Sequence, residues 1–450
     1  MELLAAIVLF CGVLAFPIFR AREWLAATII LTLGLLPVRI LGTTEPHVGV
    51  SGFEPRLMTY SIPVIAFAIA ALFAPRIFRI PVSLGALAVY VVIGCTFIWQ
   101  GTGEQWAGVV LILQGITCFA IGGYLFRSAL GDVRVRIVLV IAIAGVVAVQ
   151  TAVGGLQYLG FPIFPPDAET AELVGSRVNG TFNHPATLGK ALFLLNALLL
   201  LLAPAANRSI RFLAYAAIGA SFLPLLLSGS RANLIGAIAL VVGWAMLIPL
   251  RGNGQKKVLV LVGMALAVVA SIGVIASRFE EDPEGGARQL LNDRTIYFLD
   301  RVLPFGSGPN SFVTTFGQWD PLIASGWLVH NVPLLLLSEI GVIGLVALLW
   351  PFSAAFVFSV RSSMVGRKGV ARNAAAVYLA AVPGFIAIGA TGWGFLHEYT
   401  LPLALLVLGA CTALLQTISN TETIQAAHID DNRLFATIQK AENMQIRSGR

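Results

Sequence analysis

"ALFLLNALLLLLAP" runs from 191 to 204 without a single charge. "LIGAIALVVGWAMLIPL" (234–250) and "VLVLVGMALAVVASIGVIA" (258–276) repeat the pattern. A helix needs roughly 20 apolar residues to cross a bilayer, and these runs are near or above that length. None alternates apolar with polar residues, as the strands of a membrane barrel would. The 450-residue chain is 58% hydrophobic and 11% charged, whereas soluble domains carry about 25% charge. So few charges cannot cover a water-facing surface, so much of the surface must face lipid. The expected fold is an all-α polytopic membrane protein with about 12–14 transmembrane helices.

The expected spans are 3–19, 24–42, 57–75, 80–99, 107–126, 137–155, 186–203, 212–228, 233–250, 258–277, 332–351, 373–390 and 400–416. Between them, "RAR" (20–22), "RIFR" (76–79), "RSALGDVRVR" (127–136), "NRSIR" (207–211), "RGNGQKK" (251–257), "RSSMVGRKGVAR" (361–372) and the tail from 417 gather most of the Lys and Arg. Each is two spans from the next. Basic loops stay in the cytoplasm, so the other connections are expected outside. This explains the net charge of +7 without nucleic acid as a partner. Membrane lipids are the expected surroundings, and a cytoplasmic (inner) membrane is the expected location. "MELLAAIVLFCGVLAF" has no basic n-region and reads as an uncleaved first span. Cys11, Cys95, Cys118 and Cys411 all fall within spans and form no disulfide framework.

The expected outside connections are 43–56, 100–106, 156–185, 229–232, 278–331 and 391–399. Loop 278–331 is the longest, and loops of that length are usually functional or disordered. Its Trp319 and Trp327 favour order, with short interfacial helices. One helix is expected over 289–303, with Leu291, Ile296, Leu299 and Val302 or Leu303 on its apolar face and Arg294, Tyr297 and Arg301 on another. Pro304 and "FGSGPN" then turn the chain. The tail 417–450 reads as a solvated cytoplasmic end.

Ionisable residues at the edge of a bilayer are costly and need a reason. Outside the cytoplasmic loops stand Arg39, Arg56, Arg177, Lys190, Arg231, Arg278, Arg288, Arg294 and Arg301. Arg231 sits alone in a tight turn, "SGSRAN", between two apolar spans. A snorkelling anchor is the plain alternative for it. Arg177 lies in "GSRVNGTFNHP", where glycines allow close approach of a ligand. His330 marks the re-entry of the long loop into the membrane, and His184 stands at the matching point before an earlier span. Arginine suits bidentate phosphate recognition and stays charged. Several arginines beside one histidine suggest a site for an anionic lipid headgroup with a base nearby. His47 and His397 are isolated, and no residue spacing forms a metal site.

Four motifs occur in order: R-x-x-G-T-F-x-H-P (Arg177 to Pro185), S-G-S-R-A-N (Ser228 to Asn233), G-x-G-P-N-S-F (Gly306 to Phe312) and H-N…E-x-G-x-x-G (His330 to Gly344). This succession resembles the O-antigen ligase and O-antigen polymerase family across roughly 175–345. Ala186 stands where the family often has Asn. The resemblance implies a metal-independent, inverting membrane glycosyltransferase needing no cofactor. It would pass a glycan from an undecaprenyl-diphosphate carrier to an acceptor glycan or glycolipid in surface polysaccharide biosynthesis. On that resemblance, Arg177, Arg231 and Arg294 would bind the diphosphate, and His330 would orient or deprotonate the acceptor hydroxyl. His184, Arg301 and Asn331 are further candidates. The implied organisation is N-terminal transmembrane helices (1–155), a ligase-like core (156–351), C-terminal transmembrane helices (352–416) and the tail. The alternative is a transporter or flippase of a lipid-linked saccharide, although transporters tend to carry their ionisable groups near mid-span.

Overall fold

The computed structural model describes residues 22–35, 39–41, 50, 52–166, 168–248, 288–365 and 369–416. The expected spans 3–19 and 258–277 and the tail lie outside those residues, as do Arg278 and Cys11. The described residues are helical almost throughout. Among them, six helices are long and apolar enough to cross a membrane. They are α4 (Gly103–Gly131), α5 (Val133–Tyr158), α7 (Pro185–Leu202), α8 (Arg208–Leu227), α13 (Val332–Met364) and α14 (Gly369–Ala390). Shorter apolar helices fall on other expected spans: α2 (Ser61–Phe73), α3 (Val82–Ile93), α9 (Arg231–Leu247) and α15 (Thr400–Gln416). A short helix, α6 (Ala168–Val174), lies between α5 and α7.

The expected span 24–42 is not one helix. Helix α1 covers Arg22–Gly34. The chain then forms strand β1 (Arg39–Leu41), antiparallel to β2 (Leu57–Met58). Pro37 lacks a backbone donor and disfavours helix in the residue before it, which accounts for the early stop. The same ladder delays the start of α2 to Ser61.

Helix α7 is the axis of the bundle, and nearly its whole length is buried. Around it stand α5, α8, α9 and α14. Without a hydrophobic force between helices in lipid, close packing and interhelical hydrogen bonds hold such a bundle together. Both occur here. A Cβ on Gly122 of α4 would come within 2.9 Å of the Leu406 carbonyl carbon of α15, and one on Gly409 within 2.8 Å of that of Phe119. Asn196 of α7 donates to Ser221 Oγ of α8 at 2.9 Å. Asn373 of α14 accepts from Trp244 Nε1 at 2.9 Å and donates to the Leu200 carbonyl at 2.9 Å. Large apolar side chains such as Phe73, Val82, Phe97, Phe212 and Trp350 point outward. Such extensive apolar exposure marks a surface meant for lipid.

The segment before α13 carries three short helices: α10 (Arg288–Phe298), α11 (Phe312–Phe316) and α12 (Pro321–Ala324). They close over a small core of their own, formed by Leu291, Phe298, Phe312, Phe316, Ile323, Val329 and Leu335. The apolar face expected for α10 is partly displaced. Leu291, Thr295 and Phe298 are buried, whereas Ile296 is 60% exposed. The helix buries the stripe at i, i+4 and i+7 from Leu291, and a threonine falls on it.

Candidate functional site

The first motif is held by two glutamines of α5. Gln157 Oε1 accepts from the backbone N–H groups of Asn179 (3.1 Å) and Gly180 (2.9 Å). Gln150 Oε1 accepts from Thr181 N–H at 3.0 Å, and its amide donates to Thr181 Oγ1 at 2.7 Å. Gly180 has φ +62°, a conformation that costs other residues. Asn179 donates to the carbonyls of Phe164 and Phe182. The "NGT" of the motif is therefore scaffolding, and it fixes the chain on both sides of Arg177 and His184.

The first two motifs meet. Arg177 Nε donates to the Ser228 carbonyl at 2.8 Å, and Val178 N–H to the Leu227 carbonyl at 3.3 Å. The guanidinium of Arg177 thus lies along the turn Ser228–Gly229–Ser230 that leads into α9. Arg231 is the first residue of that helix and is half-buried. Two residues on, Asn233 donates to the Ala186 carbonyl of α7 (2.9 Å) and to Ser230 Oγ (2.8 Å). Gly189 of α7 packs against the Asn233 side chain. The next residue is Lys190, only 9% exposed. A lone cation early in an apolar span marks it in sequence, but the candidate set passed over it.

His330 lies just before α13, its ring 5.8 Å from that of Trp393. Its pKa is pulled from the ordinary 6.5 down to about 4. Burial is the main cause, and the positive charge of Arg288 is next. The Leu328 carbonyl opposes them, and Lys190 adds a smaller push in the same direction. A neutral ring can accept a proton from a hydroxyl, and an anion bound among these cations would raise its basicity.

The other candidates divide. Arg294 is half-exposed and pairs through Nε with Asp320 at 3.6 Å. Asp320 also caps α12, accepting from Leu322 N–H at 2.9 Å. Arg301 rests on aromatic faces, 4.8 Å from the Phe298 ring centre and 4.9 Å from that of Trp319, an arrangement that stabilises by cation–π attraction. His184 Nδ1 accepts from Ala186 N–H at 3.0 Å and caps α7. Asn331 Oδ1 accepts from Leu334 N–H at 3.2 Å and caps α13. These two contacts give His184 and Asn331 helix-capping roles.

The third and fourth motifs also meet each other. At Gly341 helix α13 breaks, with φ +65° and ψ −169°. The loop "PFGSGPN" (304–310) fills the break. Ser307 N–H donates to the Ser338 carbonyl and Gly308 N–H to that of Glu339, both at 2.8 Å. Glu339 Oε1 accepts from Phe312 N–H at 3.3 Å. Glu339 is thus tied to the loop. Elsewhere a buried ion pair forms: Arg56 pairs with Glu398 at 3.3 Å, joining the segment before α2 to the one before α15.

No family model matches the chain, and no curated protein matches it.

Proposed function

We propose that this chain is a membrane glycosyltransferase resembling the O-antigen ligases and polymerases. It would take a glycan from an undecaprenyl-diphosphate carrier and pass it to an acceptor sugar at the outer face of the cytoplasmic membrane. The observation that carries the reading is that Arg177 reaches the turn that leads into Arg231, while burial and the charges of Arg288 and Lys190 hold His330 neutral. A lipid-linked diphosphate diester carries two negative charges, which arginine recognises through charge-assisted hydrogen bonds. In the reaction the acceptor oxygen bonds to the anomeric carbon, and the bond from that carbon to the diphosphate oxygen breaks. The leaving oxygen takes the electron pair, stabilised by the cations, and the acceptor proton passes to His330. The break at Gly341 favours a second reading, a flippase of a lipid-linked saccharide, because transporters use discontinuous helices.

Transfer by the reconstituted full chain decides between them. Arg231→Ala and His330→Ala should each lower the yield of longer or transferred glycan by about 10²-fold, with insertion into membranes unchanged. Wild-type yield in both variants overturns the roles assigned to Arg231 and His330, and no transfer by the wild-type chain overturns the transferase. Carrier movement without transfer supports the flippase.

A further inference from the structure

A cavity of about 400 Å³ opens between the start of α4 and the helix α11, large enough for a small ligand. Phe53, Gln100 and Glu104 line one side, and Thr314, Thr315 and Gln318 the other. No Lys, Arg or His is among its described lining residues. Helix α11 separates this space from the neighbourhood of His330. Its Phe312 and Phe316 stack at 4.7 Å and pack with Val329 and Leu335, while its threonines face the cavity.

The walls are rigid. Gln105 Oε1 accepts from Gly101 N–H (2.7 Å) and Thr102 N–H (3.2 Å), and its amide donates to the Ser307 carbonyl at 2.9 Å. Asn310 donates to the carbonyls of Gly52 (2.9 Å) and Glu104 (3.1 Å). The lining itself keeps spare capacity. The side chains of Gln100 and Thr315 have no hydrogen-bond partner among the described residues. Gln318 donates to the Thr314 carbonyl at 3.1 Å and keeps its own oxygen. Glu104 is 7% exposed, with Thr314 at its carboxyl.

Amides, hydroxyls and one carboxylate offer donors and acceptors without positive charge. An anionic ligand would meet Glu104 and no cation. A neutral polyhydroxylated ligand could donate hydroxyls to Glu104 and Gln318 and accept from Gln100, with its apolar ring face on Phe53. We propose that this cavity binds a neutral saccharide unit of the glycan being transferred. The inference rests on the transferase reading for its ligand class: the cations hold the diphosphate end, and the cavity holds sugar.

The full chain in nanodiscs tests it by saturation-transfer NMR with neutral trisaccharides (maltotriose, cellotriose, mannotriose, triacetylchitotriose) and an anionic trigalacturonate. At least one neutral trisaccharide should bind saturably. Glu104→Gln should weaken it about tenfold, and Gln318→Trp, which fills the space, should abolish it. Arg231→Ala should bind as wild type does. Because Glu104→Gln keeps size and shape, a folding failure of the Trp variant leaves the test intact. No neutral binder, preference for trigalacturonate, or unchanged affinity in Glu104→Gln overturns the proposal. No transfer by the wild-type chain sinks the transferase reading instead, whatever the binding data show.

Discussion

Gly306 and Gly341 meet backbone to backbone. A Cβ on Gly306 would lie 2.6 Å from the Gly341 nitrogen, and one on Gly341 would lie 2.8 Å from the Gly306 nitrogen. Both have positive φ, +78° and +65°. An unbroken helix would pair the Ser338 carbonyl with Val342 N–H. Here Ser307 N–H takes the carbonyl, and Val342 N–H turns to the Pro304 carbonyl at 3.0 Å. The loop thus satisfies backbone groups that hydrocarbon could not.

Gly341→Ala and Gly306→Ala should therefore each destabilise the protein, by about 1–3 kcal/mol from backbone strain alone. Because both disturb one contact, the double variant should cost less than their sum. Thermal unfolding of the purified full chain measures this. Wild-type Tm in either single variant contradicts the account.

That junction also shows what sequence could and could not supply. The mostly helical fold with its spanning helices follows from apolar run length, and α4, α5, α7, α8 and α14 fall on expected spans. The glycines of "FGSGPN" announced a turn, but nothing local says that the turn inserts at Gly341, some thirty residues later. Arg177 and Arg231 stood out as costly cations, yet their common turn depends on the pairing of Val178 with Leu227. His184 looks like a catalyst by residue type; its Nδ1 contact with Ala186 is visible only once α7 is placed. Span 24–42 failed because run length ignored Pro37.

Asn373 ties three helices at their buried ends. Asn373→Ala would leave Trp244 Nε1 without its acceptor in an apolar setting, at a cost of about 1–3 kcal/mol. Trp244→Phe in the same chain should recover part of that loss, since the stranded donor disappears with it. A double-mutant cycle on Tm tests the coupling, and strict additivity would count against it.

In the transferase reading, positive side chains do the work a divalent ion does in many sugar transferases. Transfer by the full chain should therefore persist in excess EDTA. Loss of turnover with EDTA, restored by Mg²⁺ or Mn²⁺, would refute the cation-only account.

His330 gives the sharpest pH prediction. Its pKa of about 4 lies below the ordinary 6.5, so the ring is neutral throughout the physiological range. In the transferase reading, the acidic limb of the kcat/KM profile, which would report the free protein, should fall near pH 4 and not near 6.5. Arg288→Gln removes a like charge, which favours the protonated ring and moves that limb to higher pH; Lys190→Gln should do the same to a smaller extent. Stability follows the same linkage. With the folded pKa lowered, the unfolded chain binds more protons between about 6.5 and about 4, so stability declines as pH drops through that window. His330→Gln abolishes this share of the decline. Tm measured from pH 7.5 to pH 4.5 should fall less steeply in His330→Gln than in the wild type. Parallel curves would show that the ring is not held neutral by its surroundings.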